Sequence, residues 1–231
     1  MRRDAENSPG VGISILITIL VLAATGVWNR VNAAEGNRGF PDPVVDAPLA
    51  AKKGKETAVV AGGCFWGVQA VFQHVRGVKD ATSGYSGGSV SSPLYEQVTT
   101  GKTGHAESVK ITFDPAQISY GKLLKVFFSV VHDPTQLNRQ DPDIGTQYRS
   151  VIFYTNDEQK HIAEAYISQL EQAKSFPLPI VTQVVPLTKF YDAEIYHQDY
   201  ARFHPEDPYI ARNDTPKVEN LREQFPDLYK K

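Results

Sequence analysis

Cysteine occurs once in the 231-residue chain, as Cys64, and that scarcity excludes an intrachain disulfide and any site of the CxxC type. The six histidines are scattered and form no cluster at metal-ligand spacing, so no zinc site and no bound cofactor are expected. Charge of neither sign is in excess: 24 Lys and Arg against 26 Asp and Glu leave a net charge of −2, no electrostatic footprint for nucleic acid. Internal repeats are also lacking. What remains, 41% hydrophobic and 22% charged residues, is an ordinary globular composition with something appended.

The appended part is N-terminal. Positive charge at Arg2 and Arg3, an apolar run over residues 11–27 broken by small residues, and Val31-Asn32-Ala33 with short residues at −3 and −1 give the layout of a secretory signal peptide cut after Ala33. A retained membrane anchor is the alternative, since 17 residues lies near the lower limit for spanning. Arg30 and Arg38 follow the run, so the basic residues do not set an orientation, and Asp4 and Glu6 run against a leader. The expectation is an exported protein, periplasmic or membrane-anchored, and a cytoplasmic one if the leader does not function. Residues 34–55, with Gly36, Gly39, Pro41, Pro43 and Pro48 followed by Lys52, Lys53 and Lys55, show no apolar period and read as a flexible linker. Residues 56–231 are then the catalytic domain.

That domain is organised around Gly62-Gly63-Cys64-Phe65-Trp66-Gly67. A β-branched segment at 57–61 precedes it, and Phe65, Val68, Phe72 and Val75 mark one face of a helix over 64–75 after it. Cys64 thus falls at a strand-to-helix junction, where the free N–H groups and positive end of the first helical turn favour a thiolate. A lone buried cysteine that only fills core space is the plainer reading. Glu107 is legible by alternation, because it shares a strand face over 107–113 with Val109, Ile111 and Phe113. A carboxyl at the mouth of an apolar face is desolvated, its pKa rises, and it suits general-acid work near neutral pH. If it curls into solvent instead, it is an ordinary strand-end glutamate.

Further elements are expected at 78–86 (strand), 120–131 (helix), 149–154 (strand), 157–173 (helix) and 180–186 (strand), a two-layer α+β arrangement of mixed strands and packed helices with long loops. By parity Tyr148 shares a strand face with Ser150, Ile152 and Tyr154. The prolines at 205, 208, 216 and 226 make residues 204–231 read as an extended tail. Asp133, Asp141 and Asp143 share one loop, but the spacing and terminal Glu of a calcium loop are absent.

The stretches GGCFWG, GYSGG (84–88), TGHAE (103–107), HDPTQLNRQDPDIGTQYRS (132–150) and YHQDY (196–200) resemble, in order and spacing over about residues 57–203, the A-type peptide methionine sulfoxide reductases. The resemblance implies a ferredoxin-like core and reduction of methionine S-sulfoxide, free or protein-bound. It implies catalysis by Cys64 with Glu107 as acid, Tyr95 and Tyr148 as phenol donors, Asp143 lining the site, and Phe65 and Trp66 holding the substrate methyl group. His197, Asp199 and Tyr200 remain without an assigned role. One departure is Gln69, five residues after Cys64, where the family often carries an acid. Family members commonly resolve the sulfenic acid with a second, C-terminal cysteine, and this chain has none. An external thiol of thioredoxin, glutaredoxin or glutathione type must serve instead. Two other classes stay open, a cysteine hydrolase using His74, His105 or His197, and a non-catalytic module that binds oxidised methionine; a monomer is expected.

Overall fold

The computed structural model describes residues 40–231, so the leader at 1–33 and the start of the linker lie outside the described residues. Where hydrophobic spacing has period two the chain forms strands, and where it has period 3.6 it forms helices. The order is β1 (Glu56–Ala61), α1 (Phe65–Gln73), β2 (Val78–Ser86), α2 (Tyr95–Val98), β3 (Ala106–Phe113), α3 (Tyr120–Val126), β4 (Arg139–Gln140) and β5 (Asp143–Ile144), then β6 (Val151–Tyr154), α4 (Asp157–Gln172), β7 (Gln183–Pro186), β8 (Phe190–Asp192), α5 (Tyr200–Phe203) and α6 (Thr215–Gln224).

Six strands make one mixed sheet in the order β7-β6-β1-β3-β2-β8, antiparallel except for β6 and β7. Its inner four, β6-β1-β3-β2 with α1 and α3 as crossovers, are the expected ferredoxin-like arrangement. Ala58 and Val60 of β1 and Val109, Ile111 and Phe113 of β3 pack against Phe65, Val68, Phe72, Leu124, Phe127 and Tyr166 from the helices in the main core. Val59, Ala61, Val151 and Phe153 point the other way into a smaller cluster with Val185 and Phe190. Val60 pairs with Val109. The C-terminal end of β1 and the N-terminal end of β3 therefore meet at one edge of the core, which brings Cys64 and Glu107 together.

Several expectations are corrected. The helix expected to 131 ends as an α-helix at Val126 and widens into a π turn, Phe127–Val131, whose exit is tied by the His132 ring to the Phe127 carbonyl at 3.2 Å. Tyr148 is not on a strand but ends a 3-10 turn, Thr146–Tyr148, so strand parity does not govern it. The segment 204–231 is not extended. A π turn, Ile210–Asp214, runs into α6, with Pro216 in the first turn, where its missing N–H leaves no bond unmade. Its end is pinned to α1 by Lys230 N–H donating to His74 O at 2.8 Å and Arg76 N–H to Leu228 O at 2.6 Å.

The stretch read as a flexible linker is, from residue 40, laid against the helices. Tyr166 hydroxyl donates to Pro41 O at 2.9 Å, Phe40 packs on Phe176 with centroids 5.3 Å apart, and Asp46 accepts from Gly121 N–H at 2.7 Å and from the Ser119 hydroxyl. Ser119 is itself the N-cap of α3. A proline- and glycine-rich segment without period can still be ordered by polar ties to its neighbour, and Asp46 supplies two of them. Asp46→Ala is expected to lower unfolding free energy by about 1–2 kcal/mol, the scale of a lost cap and its hydrogen bonds. An unchanged urea midpoint would mean that the strap contributes nothing.

Candidate active site

After β1 the chain must reverse within two residues to enter α1. Gly63 makes that turn at φ +95°, a left-handed value that a side chain resists. Cys64 follows as the N-cap of α1 (φ −55°, ψ 124°), 8% exposed, and its side chain makes no capping hydrogen bond. The expected preference for thiolate is overturned in the resting site. Burial pushes the Cys64 thiol well up, the Glu107 and Asp214 carboxyls add to that, and the Trp66 N–H and Lys217 pull it down by less. The helix start is outweighed by desolvation.

Glu107 is 2% exposed, and its Oε2 accepts from Phe65 N–H at 3.1 Å. Burial drives its pKa to about 8 against that hydrogen bond, with Asp143 and Asp214 pushing the same way as burial. The alternation reading of Glu107 as a desolvated acid therefore agrees with its environment, and it does not curl into solvent. Thiol and acid are both neutral near neutral pH.

Two phenols stand around them. Tyr95 opens α2, and its N–H donates to Glu194 Oε1 at 2.8 Å, while Glu194 Oε2 accepts from the Tyr85 hydroxyl at 2.8 Å. Burial, then Glu107, push Tyr95 up to about 12, and burial likewise raises Tyr148, which also feels Glu107, Asp143, Tyr95 and Cys64. Both hydroxyls stay protonated and able to donate. Asp143 of β5 accepts from the Tyr209 hydroxyl and is raised by burial, with Tyr209 and Lys217 opposing.

The wall is aromatic. Trp66 stacks on Tyr200 with centroids 3.9 Å apart and planes 12° apart, and Tyr209 meets it edge-on at 6.0 Å. Its Nε1–H donates to His197 Nδ1 at 3.2 Å, which leaves the His197 proton on Nε2, buried and without a partner among the described residues. Phe65 lies behind, 1% exposed, between Tyr85 at 5.8 Å and His197 at 5.0 Å.

The remaining candidates fall elsewhere. Gln69 donates from Nε2 to Ala81 O at 2.8 Å and Gln198 Oε1 at 3.0 Å, and its Oε1 accepts from Asp199 N–H at 2.9 Å. An acid could not make both donations, so the departure at Gln69 is accounted for as a tie between α1, β2 and the 198–199 turn. His74 binds Ala70 O at the far end of α1, His105 accepts from Gly88 N–H at 3.1 Å, and His197 serves Trp66. None of these three is hydrogen-bonded to Cys64, as a hydrolase would need. Asp133 caps Thr135, Asp141 pairs with Arg139 and Asp143 holds Tyr209, so the three loop acids have separate partners.

The site also gains residues from the segment read as a tail: Tyr209 on Asp143, and the Asp214–Lys217 pair, 3.1 Å apart, against α1. A signal for them existed, since Asp214-Thr215-Pro216-Lys217 with Val218 and Leu221 carries a helix start and an apolar stripe.

A buried thiol among proton donors, with no imidazole to orient it, defines a thiol-dependent oxidoreductase site rather than a hydrolytic one. The family model for peptide methionine sulfoxide reductase matches residues 56–229, and the chain belongs to that family. It is 60% identical over 179 residues to the peptide methionine sulfoxide reductase MsrA 2 of Mesorhizobium japonicum (78% of this chain, 92% of that protein), and 54% identical over 193 residues to that of Synechocystis (83% and 90%). Among solved structures it is similar to methionine sulfoxide reductase A of Corynebacterium diphtheriae, with a TM-score of 0.57 and 32% identity over 74% of this chain and 89% of that one, and to reduced Mxr1 of Saccharomyces cerevisiae, with 0.59 and 31% over 71% and 92%.

The raised acid has a thermodynamic signature. Between its ordinary value of 4.5 and about 8 the native state holds a proton on Glu107 that the unfolded chain releases, so its contribution to stability declines as pH rises through that window. Glu107→Gln, which stays neutral, is expected to flatten that decline. Parallel pH–stability curves for the two proteins would place a charged carboxylate in the core and contradict the assignment.

Proposed function

We propose that this protein reduces methionine S-sulfoxide, free or in proteins, to methionine, with Cys64 as nucleophile and Glu107 as general acid. The carrying observation is the buried, protonated Glu107 bonded to Phe65 N–H, one residue beyond the thiol. Family membership supports the same chemistry. The substrate comes from outside, because the only methionine in the chain is Met1.

Cys64 sulfur attacks the sulfoxide sulfur as Glu107 gives its proton to the sulfoxide oxygen. The thiol proton passes to Glu107, the hydroxyl then moves from the substrate sulfur to the Cys64 sulfur as the sulfur–sulfur bond and the substrate S–O bond break, and the products are methionine and a Cys64 sulfenic acid. Proton count and charge are unchanged overall. Tyr95 and Tyr148 donate to the oxygen as charge gathers there, the Trp66 indole with Phe65 behind it takes the methyl group, and Asp143, held by Tyr209, lines the mouth. Both sulfur and acid start neutral, which keeps the thiolate from forming until a sulfoxide is present to accept a proton.

No second cysteine exists to close an internal disulfide. The sulfenic acid is therefore resolved by an external thiol, either a small one of glutathione type or the cysteine of a thioredoxin- or glutaredoxin-like protein, which expels the oxygen as water and forms a mixed disulfide at Cys64. The basic start, apolar run and small residues before Ala34 support export by a leader. An oxidising compartment would then need reducing equivalents delivered to it.

Substrate alone is expected to give one methionine per protein and a Cys64 sulfenic acid, with added thiol restoring turnover. Repeated turnover without thiol would refute the one-cysteine cycle. Cys64→Ser is expected to abolish reduction, because serine is not ionised at neutral pH and forms no sulfenic acid. Glu107→Gln is expected to slow the single-turnover step about 10²-fold or more while affecting binding much less.

A further inference from the structure

The Asp214 carboxylate and the Lys217 ammonium lie directly against the first turn of α1. A Cβ on Gly67 would fall 2.1 Å from Asp214 Oδ1 and 2.9 Å from Lys217 Nζ, so only a residue without a side chain admits the pair. Gly67 is in the same helical turn that Cys64 caps. Asp214 is 0% exposed; its Oδ1 accepts from Lys217 Nζ at 3.1 Å, and its Oδ2 is buried with no partner among the described residues. The backbone carrying the pair is fixed by Ile210 (1% exposed) in the π turn and Leu221 (0%) in α6. Burying such a pair costs desolvation that its attraction need not recover, and apolar residues of similar volume often serve stability as well or better. Stability alone is therefore a poor account of charges set against the start of a catalytic helix.

The groups around them make the sign of the effect clear. Cys64 is faced by Glu107 from β3, Tyr95 from α2, Tyr148 from the 3-10 turn, Tyr200 from α5, Tyr209 before the π turn, and Asp214 with Lys217. Asp214 also feels Asp143 and Asp207, and Lys217 acts on Asp143 and on the buried His132, which burial holds neutral at about 4. The remaining ionisable groups of this set are acids or phenols. Lys217 supplies its positive charge.

We propose that Lys217, anchored by Asp214, is a positioning residue for the sulfur chemistry, its ammonium stabilising the Cys64 thiolate wherever that anion forms. In the proposed reductase cycle, on which this inference rests, the anion forms twice. It forms first when the thiol proton leaves as Cys64 attacks the sulfoxide. It forms again when a second external thiolate attacks the outer sulfur of the mixed disulfide, making a disulfide between the two reductant sulfurs and expelling Cys64 as thiolate. A thiolate of lower pKa leaves faster. Asp214 holds the ammonium and offsets part of its charge, while burial keeps the resting thiol protonated.

The test is the pH profile of Cys64 alkylation by iodoacetamide in the resting full-length protein, with no sulfoxide present, so that its outcome is independent of the reductase assignment. Lys217→Met is expected to move the profile up by about one pH unit and to slow alkylation at neutral pH about tenfold. Lys217→Arg is expected to retain the wild-type profile, and Asp214→Asn to move it down, because an anion is removed and the ammonium remains. A merely structural role predicts no opposed shifts. If Lys217→Met does not fold, the double variant Asp214→Asn/Lys217→Met, which leaves no unpaired buried charge, decides against Asp214→Asn alone: a higher profile in the double variant supports the inference, and an equal or lower one overturns it. Folded variants that all share the wild-type profile overturn it equally.

Discussion

The hydrogen bond from Phe65 N–H to the Glu107 carboxyl is the contact on which the site turns. It exists because β1 and β3 are antiparallel neighbours, which sets the mouth of an apolar strand face against the first turn of a buried helix. One backbone donor is too little to keep a carboxylate charged where water is excluded, so the acid holds its proton. The same exclusion keeps Cys64 a thiol despite its place at a helix start. Desolvation decides both protonation states, and each partner waits for a substrate oxygen to take charge.

Around that pair the fold acts mainly to exclude water and to hold hydroxyls protonated. Glu194 ties Tyr85 and Tyr95 together from β2 and α2, His197 fixes the Trp66 indole, and Tyr209 reaches Asp143 from the C-terminal segment. The last of these links the polar mouth to the same segment that sets Asp214 and Lys217 under Gly67. A chain with no second cysteine thus uses its C-terminal region as a packed wall of the site.

Much of this is legible in the sequence. Strict alternation puts Glu107 on the core face, and the glycine-bounded turn puts Cys64 at the strand-to-helix junction, because both signals are local. The protonation of Cys64 is not legible, since a helix start can be seen in sequence and the depth of burial cannot. The place of Tyr148 is not legible, because a 3-10 turn beside a strand carries no distinct period. A count of prolines misleads over 204–231; Pro216 begins α6 rather than breaking it, and the helix gains its stability from Leu221 packing on a core far away in sequence. The strap at 40–55 hid for a related reason, its order coming from Asp46 and Tyr166 contacts that no local window contains.

The neutrality of Glu107 beside a neutral thiol is the claim that most directly bears testing. Infrared difference spectra of the resting protein against Glu107→Gln, taken across pH, report it without turnover. A protonated-carboxyl band should be present at neutral pH, vanish in the glutamine variant, and titrate near pH 8. A carboxylate band already formed at pH 6 would contradict the account, because the acid would then have no proton to give.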